Sequence, residues 1–98
     1  MIRPIIRPEA ERDLQDAYRW YEVQSASLGE EFAESIEAGI RFIADFPLTS
    51  HVIHKNVRRL LVKRFPYVIL YFVEADIAVV IAIFHCKRDP KVWKRRLK

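Results

Sequence analysis

The segment that decides the fold is the apolar sequence YVILYFVEADIAVVIAIF, residues 67–84. Its two halves, residues 67–73 and 77–84, are rich in β-branched and aromatic residues and flank a short polar break, Glu-Ala-Asp. Two such runs joined through a short turn predict an antiparallel hairpin. Neither run alternates cleanly with polar residues, so we expect both strands to be covered at least in part on both faces.

The sequence changes character immediately after the second strand. Residues 85–98 contain seven Lys or Arg residues, a single acidic residue and Trp93. The acidic residue, Asp89, precedes Pro90, and this order predicts a cap on the first turn of a C-terminal helix. A hydrophobic sheet that carries a cationic segment at one edge suggests a platform for an anionic target or partner.

Charge is distributed unevenly between the two halves of the chain. Residues 1–50 carry a net charge of −5 and residues 51–98 a net charge of +9, which gives the formal +4. This asymmetry indicates either a binding face for an acidic partner or nucleic acid, or two halves that attract each other. Because the positive excess lies beside Trp93, we favour the binding face.

Length and composition limit the remaining possibilities. A chain of 98 residues predicts one domain, residues 1–98, with a single core. Cys86 is the only cysteine, which excludes an intrachain disulfide and favours a reducing compartment. The beginning of the chain has no signal-peptide pattern, and the longest apolar run is too short to span a bilayer. We therefore predict a cytoplasmic protein with no membrane partner.

The N-terminal half predicts a short strand followed by two helices. Residues 2–6 form the strand, and Pro8 suits the first position of the first helix. Ser27 and Glu30 have the spacing of a capping box for the second helix, and Pro47 ends it. The short connection predicts an antiparallel helical hairpin, in which Gly39 would allow close contact with the first helix.

Helical spacing also separates buried from exposed positions. The buried face of the first helix comprises Ala10, Leu14, Ala17, Tyr18 and Tyr21. That of the second comprises Phe32, Ile36, Ile40, Ile43 and Phe46. The acidic residues Glu9, Glu11, Asp13 and Asp16 are expected on the solvent side, where a general-acid role would be implausible. Trp20 is expected in a helix–sheet contact, or exposed as part of a partner site.

The C-terminal half predicts a polar loop at residues 47–56 and a strand at residues 57–64. With the hairpin, these elements give the order β-α-α-β-β-β. The expected fold class is therefore α+β: a short N-terminal strand, an antiparallel two-helix hairpin and a three-stranded antiparallel meander in one sheet, with the helices packed on one face.

The element order, the sequence FPY at residues 65–67, Tyr71, and the sequence HCKRDPKVW at residues 85–93 together resemble the RelE/ParE toxin superfamily, over essentially the whole chain. The ParE-like branch is the more similar one. The resemblance implies the toxin of a type II toxin–antitoxin system, neutralised by a small, ParD-like antitoxin. It implies no cofactor and no metal.

The two branches of the superfamily differ in target. RelE-like members are ribosome-dependent mRNA endonucleases, and the resemblance places one of their arginines at Val68 and a strand lysine at Leu61. Trp93 lies near the place of a terminal aromatic acid but cannot donate a titratable proton. The nuclease set is therefore incomplete, which favours the ParE-like activity, inhibition of DNA gyrase by binding. If the chain were a nuclease, the candidate catalytic residues would be Arg59, His85 and Arg88.

The resemblance implies two binding surfaces and leaves an inactive, antitoxin-binding relic as a third possibility. The expected target-binding residues are Arg88, Lys91, Trp93, Lys94, Arg95 and Arg96. The expected antitoxin-binding residues are Arg59, Lys63, Tyr67 and Arg88. We expect Arg95 and Arg96 to be dispensable for folding and Trp93 to pack the tail, residues 88–98, on the sheet. Direct nucleic-acid binding by the chain alone is not expected.

Three histidines and the cysteine are weaker candidates. His85 could act as a general acid, but at a strand end it is more plausibly a structural residue that anchors the following loop. His51 and His54 have a metal-compatible spacing without further ligands nearby, so loop residues are favoured. Cys86 and His85 are adjacent in sequence and would point to opposite faces of a strand, which argues against a nucleophile–base pair.

Overall fold

The computed structural model describes residues 1–97 and has the predicted α+β order with one additional strand. In chain order the elements are β1 (Arg3–Ile6), α1 (Pro8–Gln24), α2 (Leu28–Asp45), β2 (His51–His54), β3 (Val57–Leu61), β4 (Tyr67–Glu74), β5 (Ile77–His85) and α3 (Pro90–Lys94), followed by a 3-10 turn (Arg95–Leu97). Among these described residues, no helix is both long enough and apolar enough to cross a membrane.

The strands form one mixed sheet in the order β1-β5-β4-β3-β2. β4 and β5 form the predicted antiparallel hairpin, with Tyr67 opposite His85 and Glu74 opposite Ile77. Ala75 takes a left-handed conformation, φ 53°, in the turn between them. β1 pairs in parallel with β5, which places the two longest strands towards the middle of the sheet.

The prediction of a polar loop at residues 47–56 is wrong, because this segment contains β2. β2 pairs antiparallel with β3, His51 lying opposite Arg59 and Val52 opposite Arg58. The turn between the two strands contains Lys55 at φ 51°. The strand escaped prediction because its apolar centre is only two residues long and histidines flank it on both sides.

β3 ends at Leu61, three residues earlier than predicted. The chain leaves the strand through a turn in which the Val62 N–H donates to the Tyr67 carbonyl at 2.9 Å. Arg64 lies in this turn with φ 73°, which a continuing strand does not accommodate. Pro66 also lacks the N–H that a paired strand residue would donate.

The sheet is covered on both faces, as the apolar strands predicted. The helical hairpin covers one face, called here the helix-side face. The core between the hairpin and this face includes the buried residues Ala10, Ala17, Phe32, Ile36, Ile43, Ile69, Tyr71, Val80 and Ile83. α3 covers part of the opposite face, called here the outer face, whose buried residues are Val57, Val68, Leu70, Phe72, Val79, Ile81, Ala82, Phe84 and Trp93. The prediction that Trp93 packs the tail on the sheet is confirmed.

The capping box predicted for α2 is wrong. Ser27 has φ 71° and makes no side-chain cap hydrogen bond, and Glu30 instead accepts from the Tyr18 hydroxyl at 2.9 Å. The N-terminal turn of α2 is stabilised from α1, because Glu22 Oε1 accepts from the Gly29 N–H at 2.8 Å. The two helices approach closely here, and a Cβ at Gly29 would lie 2.7 Å from the Tyr18 carbonyl oxygen.

Two expectations for the second half of α2 also need correction. Gly39 approaches the sheet and not α1, since a Cβ there would lie 2.7 Å from Ile69 Cδ1. Phe46 follows the end of the helix and is 53% exposed, so it is not part of the buried face. The other large residues of the predicted stripe are buried, or partly buried in the case of Ile40.

Candidate binding surfaces at the basic end of the sheet

A cleft of about 160 Å³, called here the outer-face cleft, lies between the sheet and α3. Its buried lining residues, such as Val68 and Phe84, are apolar, and its exposed ones include two arginines. The lining comprises Ile53, Arg59, Val68, Leu70, Phe84, His85, Cys86, Arg88, Pro90 and Trp93. The cleft thus combines an apolar interior with a cationic rim.

The structure brings the three residues named for the nuclease alternative, Arg59, His85 and Arg88, to this one cleft. His85 Nδ1 accepts from the Lys87 N–H at 3.1 Å, which is the loop-anchoring arrangement expected of a structural histidine. Val68 lines the same cleft where the resemblance places an arginine in the nuclease branch. The cleft therefore holds two cations of the nuclease pattern, Arg59 and Arg88, and lacks the arginine that the nuclease branch has at the position of Val68.

The two arginines of the cleft are only weakly neutralised. Within residues 1–97, Arg59 makes no ion pair and no side-chain hydrogen bond. The Arg88 guanidinium lies 4.0 Å from the centre of the Phe84 ring, and its Nη1 is 3.9 Å from Asp13 Oδ1. Because the Arg88 side chain is 46% exposed, water screens that pairing. Two available guanidinium groups suit an anionic ligand.

Residues 89–97 run across the outer face and are called here the strap. The predicted cap is confirmed, since Asp89 Oδ1 accepts from the Lys91 N–H at 2.9 Å. Lys91, Lys94 and Arg95 are exposed and make no ion pair within the described residues. Trp93 is 5% exposed, so it forms part of the cleft wall and offers little surface for contact with a target. Lys98, the end of the predicted tail, lies outside the described residues.

The expectation that Arg96 is an exposed charge is wrong, which removes the ground for expecting it to be dispensable for folding. Its side chain is 15% exposed, and it makes two hydrogen bonds to Asp13, from Nη1 to Oδ2 at 2.7 Å and from Nη2 to Oδ1 at 3.1 Å. Nη1 also donates to the Ile81 carbonyl at 3.0 Å. A bidentate, largely buried pair of this kind contributes to folding, because either partner alone would be a buried, uncompensated charge.

Asp13 is buried, which contradicts the position predicted for it. It was expected on the solvent side of α1, yet its side chain is 8% exposed and it accepts from the Ile83 N–H at 3.0 Å. The sequence does hold a signal for this position. Asp13 lies three residues after Ala10 and four before Ala17, both buried, and this spacing places it on the inner face of the helix.

A second concave surface, called here the α2–β3 groove, has a volume of about 460 Å³. Its exposed apolar residues include Phe42, 41% exposed, and Leu61, 60% exposed. Beside it, β3 pairs with β2 only as far as Arg59, so Leu60 and Leu61 pair with β4 alone. The lining comprises Glu34, Ser35, Ala38, Gly39, Phe42, Leu60, Leu61, Val62 and Lys63.

The four residues predicted to bind an antitoxin do not all line one surface. Lys63 lines the α2–β3 groove, whereas Arg59 and Arg88 line the outer-face cleft. Tyr67 packs among aromatic residues of the helix-side core, 4.9 Å from the Phe32 ring, and its burial raises its pKa above the usual value. It also lines a third cavity of about 240 Å³ beside Asp13 and Arg88.

The remaining sequence candidates fall at the margins of these surfaces. His51 and His54 occupy the two ends of β2, and the His54 ring packs edge-on against Trp93 with 5.8 Å between ring centres. Cys86 is an exposed free thiol in the cleft lining. Trp20 is 59% exposed, so the expectation that it is buried in a helix–sheet contact is wrong, and the partner-site alternative stays a prediction.

A helical hairpin covers one face of the five-stranded mixed sheet, and a short basic helix covers part of the other face. The solved structure of the "Chromosomal ParDE TA system from P. aeruginosa" has a similar fold, with a TM-score of 0.78 and 17% identity over 87% of this chain and 96% of that one. Residues 5–90 match the family described as "ParE toxin of type II toxin-antitoxin system, parDE". The chain therefore belongs to the ParE toxin family. No curated protein matches the sequence.

Proposed function

We propose that this toxin acts in the cytoplasm by binding DNA gyrase and inhibiting it, and that a small cognate antitoxin of the ParD type neutralises it. The observation that carries the proposal is the cationic end of the molecule. Lys91, Lys94 and Arg95 are exposed and unpaired within the described residues, next to the two weakly neutralised arginines of the outer-face cleft. Such a surface favours rapid association with an acidic target.

Binding is favoured over catalysis by the composition of the outer-face cleft. Cleavage of RNA through the 2′-hydroxyl requires stabilisation of the developing negative charge and protonation of the leaving group. Val68 is apolar and 5% exposed, and Trp93 has no titratable proton. Loss of a charge-stabilising donor typically costs about 100- to 1000-fold in rate.

A second candidate, ribosome-dependent mRNA cleavage, is favoured by one specific observation: Arg59, His85 and Arg88 line the same cleft. If this activity exists, defined cuts in translated codons should appear and should vanish when Arg59 or Arg88 is changed. An inactive relic would show neither gyrase inhibition nor mRNA cleavage.

The proposed gyrase binding depends on the exposed cations of the strap. We expect the double variant Lys91→Ala/Arg95→Ala to inhibit DNA supercoiling about tenfold less, and to do so with a weaker salt dependence, because rim charges mainly set association rate. The measurement is gyrase supercoiling with purified protein at several salt concentrations, with a melting curve for each variant.

The matched control is Arg12→Ala/Arg41→Ala, which removes from the helical layer two exposed cations that make no ion pair within residues 1–97. This control should inhibit gyrase like the parent. Equal inhibition by the parent and the strap variant, both folded, would show that the strap does not contact the target.

We propose that the α2–β3 groove receives the antitoxin. Phe42 and Leu61 offer exposed apolar contacts to the face of an amphipathic helix, and the unpaired edge of β3 at residues 60–61 can accept an extended segment. Both are recurring ways in which a peptide binds a folded domain. Lys63 and Glu34 both line the groove, so the contacts it offers a partner are mainly apolar.

The groove is tested by Leu61→Glu, which places a charge where an apolar contact is proposed. We expect this variant to fold, because Leu61 is 60% exposed, and to lose co-purification with the proposed ParD-like antitoxin on co-expression. Val23→Glu is the control, since Val23 is 83% exposed on α1 and does not line the groove. Retention of the antitoxin by Leu61→Glu would place its site elsewhere.

A further inference from the structure

Asp13 lies where three elements meet: α1, which carries it, β5 and the strap. Its carboxylate accepts from the Ile83 N–H of β5 at 3.0 Å and from two nitrogens of Arg96 in the strap, at 2.7 and 3.1 Å. The residues it joins are 70 and 83 positions away in sequence. One side chain therefore connects the beginning of the chain to its end.

Polar attachment of the strap is concentrated at Arg96. Apart from the bonds of the Arg96 side chain, the Arg96 carbonyl accepts from Arg7 Nη1 at 3.1 Å. The apolar attachment consists of Trp93, which is buried, with Val92 and Leu97, which are partly buried against the outer-face core. A helix of only five residues, α3, has little stability of its own.

The strap covers apolar surface that belongs to the sheet. The Arg96 guanidinium lies 4.8 Å from the centre of the Phe84 ring, and Phe84 is 2% exposed. Pro90 and Trp93 of the strap form part of the wall of the outer-face cleft. If the strap left the sheet, Phe84 and its neighbours would meet water and the cleft would lose that wall.

We propose that the ion pair between Asp13 and Arg96 holds the strap on the sheet, and that the strap can open as a unit when this pair is broken. With the Asp13–Arg96 pair intact, residues 89–97 are closed over the outer face. When the pair is broken, these residues leave the sheet together, while the helical hairpin and β4 keep their structure. This inference concerns the conformation of the chain and does not depend on which target the toxin binds.

The test uses Trp93 as a reporter in a Trp20→Phe background, where Trp93 is the remaining tryptophan. In Asp13→Asn the amide oxygen can still accept from the Ile83 N–H, so the change removes the charge and spares the backbone bond. We expect a red shift of Trp93 emission and about tenfold faster amide exchange in residues 91–97, with α2 and β4 unchanged.

Two further variants make the result specific. Asp16→Asn removes an exposed acid one turn away, 78% exposed and paired only with Arg19 within the described residues, and should change neither readout. Arg96→Gln removes the ion pair from the strap side and should reproduce the effect of Asp13→Asn. The double variant should open the strap no further than Arg96→Gln alone, because that change already removes the ion pair together with the bond to the Ile81 carbonyl.

Two outcomes would overturn the proposal. Unchanged Trp93 emission and exchange in Asp13→Asn would mean that apolar packing alone holds the strap. Faster exchange throughout α2 and β4 would mean that Asp13 supports the whole fold and that the strap has no separate opening.

Discussion

At the scale of single residues, the local interactions could be predicted and the distant ones could not. The Asp89 cap depends on a residue two positions away, and sequence order alone predicted it. The Asp13–Arg96 pair joins residues 83 positions apart, and only the packing of α1 on β5 brings them together. Helical spacing alone places Asp13 on the inner face of α1, but the general preference of acidic residues for solvent led to the opposite prediction.

A prediction at this scale concerns Tyr67 and alkaline pH. Burial raises the pKa of Tyr67 in the folded state above its unfolded value of about 10. The stability from keeping the phenol neutral is therefore complete below pH about 10 and is lost as pH rises through the folded-state pKa. In Tyr67→Phe the fall in melting temperature between pH 9 and 11, measured at about half-unit steps, should be shallower than in the parent. An identical fall in both proteins would show that Tyr67 does not titrate differently on folding.

At the scale of elements, periodicity predicted α1, α2 and the β4–β5 hairpin, because each has a long apolar pattern. It missed β2, whose apolar centre is Val52 and Ile53 alone. The capping box failed for a different reason: Tyr18 takes the Glu30 carboxylate, and Glu22 satisfies the Gly29 N–H instead. Competition from a packed neighbour cannot be read from the local motif.

The glycines of α2 give a prediction at this scale. Gly29→Ala should destabilise the protein by about 1–3 kcal/mol, because the new Cβ would meet the Tyr18 carbonyl oxygen at 2.7 Å and displace Glu22. Gly39→Ala should cost less, since its obstacle is the movable Cδ1 of Ile69 and alanine favours the helix. Urea denaturation of both variants measures the difference. A larger loss for Gly39→Ala would contradict the proposed close approach of α1 and α2.

At the scale of the whole molecule, part of the uneven charge is paired within the chain, and the binding-face interpretation stays a prediction. The ion pairs Asp13–Arg96 and Glu31–Arg64 join the acidic first half to the basic second half. Arg59 and three cations of the strap, Lys91, Lys94 and Arg95, have no such partner within residues 1–97. The sequence could show that a positive excess exists, but not which charges fold the chain and which are free for a partner.

For the candidate surfaces, too, the sequence could identify residues but not how they are grouped in space. The resemblance and the residue pattern brought out the cleft residues Arg59, His85 and Arg88, since strand ends and the turn after β5 are readable from the sequence. They did not separate the groove from the cleft, because Lys63 lines the groove and Arg59 lines the cleft, whereas Arg88 lines both the cleft and the third cavity beside Tyr67. That separation depends on strand register and on the turn at residues 62–66.

Inhibition of gyrase by binding is tested most directly by two readouts in the same bacterial culture after induction of the chain without its antitoxin. One readout is the DNA damage response, and the other is primer extension on translated messages. We expect a DNA damage response and no codon-defined cleavage, with the strap double variant Lys91→Ala/Arg95→Ala weakened in the first readout. Defined cuts in translated codons without DNA damage, lost in Arg59→Ala or Arg88→Ala, would contradict the account and assign the toxin to the ribosome.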